Sequence, residues 1–159
     1  MTRLYHYVGP EEIARRCESS PGGHLIESAT DVITWMGGRS GIATFVIDEH
    51  GQLLIADRHS EHVACAQGRP VRSAGEMAFV VEDGSLTVEW VTNQSTGYCP
   101  SPDSWPAVRD VLLRLGIAAP TDFSPRFIFR RCARCLSINI VKENVFECAV
   151  CSADLSVSR

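Results

Sequence analysis

No stretch of the 159-residue chain approaches the run of about 18 apolar residues that crosses a bilayer, so the sequence offers no membrane span. The opening segment, Met1 to Tyr7, lacks the apolar core of a secretory signal, and the expected location is the cytoplasm. Basic residues are not in excess either. Fifteen Lys and Arg stand against nineteen Asp and Glu, giving a net charge of −4 and a pI near 5.7, which argues against general binding to phosphate backbones. Nucleic acid is therefore not the expected partner. No repeat is visible beyond short local pairings, which excludes a solenoid. With 45% apolar residues, global disorder is excluded as well.

Cysteine is present in an odd number, seven, and four of the seven form two C-x-x-C pairs, Cys132 with Cys135 and Cys148 with Cys151. In a reducing compartment that pattern points to a metal and not to a disulfide framework. Twelve residues separate the pairs. Two knuckles joined by a β-hairpin bring four thiolates to the corners of a tetrahedron, and Zn²⁺ is the natural occupant. Thiolates also ligate iron in rubredoxin-like centres, but nothing else in the chain looks redox-linked, so zinc is preferred. Four protein ligands leave no open coordination position, which makes the metal structural. Ile138 to Val141 and Val145 to Glu147 are expected as the hairpin strands, turning at Lys142 to Asn144.

The remainder predicts an α+β fold: a small antiparallel sheet with flanking helices over residues 1–124, followed by a C-terminal zinc ribbon over 125–159. Leu4 to Val8 reads as a short strand, Glu11 to about Cys17 as a helix opened by Pro10, and Ser28 to Asp31 as the cap of a second helix. Two hairpins follow, Ile42 to Ile47 with Gln52 to Ala56, and Met77 to Val81 with Leu86 to Thr92, making four strands with one apolar face. Asp57 to Gly75 reads as a loop, as does Asn93 to Asp103. Asp103 or Ser104 is expected to cap a helix whose buried face carries Val108, Val111, Leu112 and Leu115, and Ala118 to Ser124 reads as a linker.

Loops at strand ends are where binding groups are usually mounted, which singles out His62, Glu76, Asn93, Ser95 and Tyr98 as ligand-binding candidates. The plainer account of the same region gives Gly75, Gly97 and Pro100 to turns, Asn93 and Ser95 to loop backbone, and Tyr98 to packing. His59, His62 and Cys65, three apart, are a weaker candidate for a second metal site. Around these residues, the spacing His62, Gly68, Gly75, Glu76, Asn93, Ser95, Tyr98 and Pro100 resembles a segment of the plant IQ-motif calmodulin-binding proteins, and is similar to segments of some bacterial effector-type proteins. The resemblance spans residues 55–117. That family reads Ser-Gly-His-Tyr where this chain runs from Ser95 to Tyr98 without histidine, and no IQ motif is present, so calmodulin binding does not carry over. Leu4 to Tyr7 is faintly similar to the first strand of ADP-ribosyltransferase folds, in which a histidine, here His6, holds the dinucleotide.

The leading expectation is a cytoplasmic zinc-binding protein without catalysis, binding an unknown protein or small molecule through the Asn93 to Pro100 loop. The alternative is an enzyme, a transferase on a nucleotide-type substrate, for which His62, Glu76 and Tyr98 would have to share a closed pocket. In a third reading the ribbon docks on nucleic acid or protein through Arg130, Arg131 and Arg134. Six basic residues from Arg126 to Arg159 outnumber three acidic ones there, a balance that also compensates the charge of a four-thiolate zinc centre.

Overall fold

A computed structural model describes residues 2–157, so Arg159 of the basic C-terminal segment lies outside the described residues. Five strands form one antiparallel sheet in the order β1-β3-β2-β4-β5: β1 His24–Ile26, β2 Gly41–Asp48, β3 Leu53–Asp57, β4 Val71–Glu82 and β5 Ser85–Val91. The helices are α1 Glu11–Arg16, α2 Ala29–Trp35, α3 His62–Cys65 and α4 Trp105–Arg114. A separate two-stranded sheet, β6 Ile128–Arg131 with β7 Ile138–Val141, belongs to the C-terminal segment. The architecture is α+β.

Local chemistry explains most of these elements. Ser28 and Asp31 form a reciprocal capping box at the start of α2. Asp48 turns the β2–β3 hairpin by accepting from the amides of His50 and Gln52, and Asp83 and Gly84 take the positive φ values, 52° and 77°, that a two-residue β4–β5 turn needs. Phe45, Ile47, Leu53, Ile55, Met77 and Phe79 pack against Val32 of α2 and Val108, Val111 and Leu112 of α4 on one face of the sheet. Val46, Val71 and Ala74 meet Val63, Cys65, Tyr5 and Tyr98 on the other. Both faces are covered, in place of the single apolar face expected, which is why β2 is buried at five consecutive positions.

The structure corrects several boundaries. Three residues, too few to show periodicity, add β1 at the sheet edge beside β3. Val71 to Gly75, expected as loop, begins β4 and pairs with the second half of β2. Of Leu4 to Val8 only Tyr5 forms a ladder bridge, exchanging two backbone bonds with Val71, while the Val8 amide donates to the Gly97 carbonyl at 2.7 Å. Ser104 takes the expected N-cap position of α4 but makes no side-chain capping bond: its hydroxyl meets that of Ser73 at 2.9 Å, while Ser101 caps the preceding 3-10 turn over Pro102–Ser104. The segment 118–124 is not a free linker. The Ala118 carbonyl accepts from Val88, Phe123 stacks edge-on with Trp105 at 5.1 Å, and the Ser124 amide donates to Val91. In the ribbon, β7 pairs with β6 across the first knuckle. Val145 only closes a turn with Lys142, because the chain leaves the ladder there to build the second knuckle.

Candidate metal centre and neighbouring groove

The sulfur atoms of Cys132, Cys135, Cys148 and Cys151 all lie within 4.8 Å of one another, with Cys132 to Cys151 and Cys135 to Cys148 each at 3.5 Å. Tetrahedral Zn–S bonds of about 2.3 Å set sulfur–sulfur edges of about 3.8 Å, so this donor set fits a metal of that kind. Both knuckles fold alike. The amides of Leu136 and Ser152 donate to the carbonyls of Cys132 and Cys148, and the amides of those two cysteines donate to Ser137 and Ala153. Leu136 and Ser152, each following the second cysteine of its pair, take φ values of 66° and 64°, the conformation that turns the chain back over the thiolates.

Amides aimed at sulfur complete the site. Cys135 donates to Cys132 Sγ at 3.5 Å, and Val150 and the Asn139 side chain donate to Cys148 Sγ at 3.4 and 3.5 Å. The Cys148 thiol is held down to about 6 by the Cys151 backbone, with help from Val150 and Asn139 against the opposing effect of desolvation. Asn139 also accepts from the Ala149 amide at 2.9 Å, so one buried side chain clamps the second knuckle to β7. Spacing arguments missed this residue. A polar side chain at a buried position between Ile138 and Ile140 of a strand is the signal that marks it.

The ligand-binding candidates divide. His62, Glu76 and Ser95 line one open groove of about 270 Å³, with Arg58, Glu61 and Thr44. His62 Nε2 donates to the Gly75 carbonyl at 2.9 Å, and burial lowers its pKa, so the ring is neutral with Nδ1 as its acceptor. Arg58 stands 4.0 Å from Glu76. Ser95 Oγ is engaged by the Tyr98 amide at 3.3 Å. Tyr98 does not share this groove: it is buried edge-on to Tyr7, and its hydroxyl donates to the Arg69 carbonyl at 2.9 Å. Asn93 is fully buried and spends its amide on Pro100 and Phe127.

His59, His62 and Cys65 do not converge. The Cys65 thiol points away to the Leu54 carbonyl, and desolvation pushes it up to about 12. Among the described residues the four-cysteine cluster alone has metal-ligand geometry. His6 is exposed beside the single paired residue Tyr5. No helix among the described residues is long and apolar enough to cross a membrane.

No protein-family model, curated protein or solved structure matches the chain. The resemblance of residues 55–117 thus has no support from relatives, and what carries the functional reading is the geometry of the site itself.

Proposed function

We propose that the protein is a non-catalytic binding module whose C-terminal ribbon folds around one Zn²⁺. The observation that carries this reading is the cluster of four sulfur atoms, each knuckle closed by the same backbone bonds. Cys132, Cys135, Cys148 and Cys151 would hold the ion with no position left for water, so its chemistry is to fasten a segment too small to fold alone. A binding role accords with the other candidates. His62, Glu76 and Ser95 border an open groove, whereas Tyr98 and Asn93 are committed to the backbone, so no enclosed pocket unites His62, Glu76 and Tyr98.

Metal analysis of the purified chain, combined with limited proteolysis before and after chelation, tests this. One zinc per chain, and cleavage within residues 126–157 only once metal is stripped, is the expected result. A metal-free chain whose C-terminal segment resists protease overturns it.

A further inference from the structure

β6 has one partner strand, β7, and its other edge borders a trough of about 520 Å³ between the ribbon and the α+β domain. Ile128, Phe129, Arg130 and Arg131 all line it. Alternate side chains of a strand point to opposite faces, so four consecutive residues reach one cavity only when the strand presents its edge. The ladder gives the same orientation. Just beyond the strand, the Cys132 amide bonds Ser137, and counting back by twos makes Arg130 and Ile128 the residues bonded to β7. Phe129 and Arg131 therefore turn their amides toward the trough.

The trough is positively charged. Arg3, Arg126, Arg130 and Arg131 line it against one carboxylate, Asp103, and Arg126 pairs with Asp122 at 3.5 Å. No ion pair joins Arg130 or Arg131 to a carboxylate among the described residues. Arg130 is fixed by donating Nε to Ser156 at 2.9 Å and Nη1 to Phe129 at 2.9 Å, and Arg131 by donating Nη1 to Leu136 at 3.0 Å. Carbonyl acceptors orient these guanidinium groups without neutralising them, so they are preorganised for an anionic partner. A second copy of the chain is disfavoured at this edge, because pairing β6 with β6 sets Arg130 and Arg131 against their own like charges. The net charge of −4 likewise works against nucleic acid.

We infer that the free edge of β6 takes up an extended, carboxylate-rich segment of a partner protein as a third ribbon strand. The amides of Phe129 and Arg131 supply the pairing, the Phe129 carbonyl on the same edge being held by Arg130 Nη1 at 2.9 Å, and Arg3, Arg130 and Arg131 select for acidic side chains. The inference rests on the ribbon being folded around its metal.

The test uses the full chain, with zinc content measured on the same sample, and a fluorescein-labelled peptide alternating Glu and Val. The peptide binds, its affinity falls as salt rises, and its counterpart with Lys for Glu does not bind. The double substitution Arg130→Glu with Arg131→Glu weakens binding by about tenfold or more. Phe129→Pro removes an edge amide without touching a bond to β7, so zinc content is kept and binding is lost, while Phe129→Ala largely retains it. Equal binding by Phe129→Pro and Phe129→Ala overturns strand addition, as does a dimer that the peptide cannot displace or equal binding by a single-stranded oligothymidine. Zinc-loaded protein that ignores the acidic peptide overturns this inference alone, whereas a zinc-free preparation removes the reading beneath it.

Discussion

Asn93 and Phe127 are joined as two strands would be: the Asn93 amide donates to the Phe127 carbonyl at 2.8 Å, and its Oδ1 accepts the Phe127 amide at 2.8 Å. A third bond runs from Asn93 Nδ2 to the Pro100 carbonyl at 2.8 Å. One buried side chain thereby ties the end of the sheet and the loop before α4 to the residue that precedes β6. Asn93→Ala leaves these backbone groups unpaired, and unsatisfied buried groups cost about 1–3 kcal/mol each. The expected result is a loss of about 2–4 kcal/mol in urea unfolding, with faster proteolysis near residues 118–126 and unchanged zinc content.

Gly75 sits in the middle of β4, opposite Phe45, where a β-carbon would stand 1.9 Å from the Thr92 carbonyl oxygen. The obstruction is backbone just past the end of β5, held to β4 by the bond from the Thr92 amide to the Glu76 carbonyl, and cannot swing aside. Gly75→Ala is expected to cost more than about 3 kcal/mol, read as a large fall in the denaturation midpoint or as insoluble expression.

Leu136 holds a φ of 66° while the residue is 64% exposed, so the knuckle carries the steric cost of a left-handed residue and gains little burial in return. That cost is about 1–2 kcal/mol, and glycine gives back about half of the gain through the entropy of its unfolded chain. Leu136→Gly should stabilise the zinc-loaded protein by about 0.5 kcal/mol, seen as slower zinc transfer to a competing chelator.

His62 gives stability a pH dependence of definite sign. Burial lowers its pKa below the ordinary value, with the bond to the Gly75 carbonyl and then Glu61 and Glu76 opposing the shift only partly. The unfolded chain then binds the proton more readily, so this contribution is complete above about pH 6.5 and is lost as pH falls through and below that value. Unfolding free energies between pH 7.5 and 5.5 should decline in the native protein more steeply than in His62→Asn.

The metal centre was legible because two C-x-x-C pairs constrain geometry through covalent spacing alone, and the two hairpins because apolar runs met turn residues such as Asp83 and Gly84. What escaped the sequence depended on contacts between distant segments. Val71 to Gly75 has too few β-branched residues to read as strand and becomes one by pairing with β2 beneath Tyr5. Ser104 stands at the helix cap, as its sequence position suggests, but its hydroxyl turns to Ser73, 31 residues away, instead of to the helix backbone. Asn93 and Tyr98 read as ligand groups because polar residues in a loop suggest binding, yet the segments they bond, at Phe127 and Arg69, lie 34 and 29 residues away in the chain.

In the function proposed above, four sulfur atoms and no other ligand hold one zinc ion. X-ray absorption at the zinc edge on the purified chain tests it most directly. The expected result is one zinc per chain with a single shell of four sulfur neighbours at about 2.3 Å, unchanged in His62→Asn. A shell containing nitrogen or oxygen, or an iron edge in place of zinc, would contradict it.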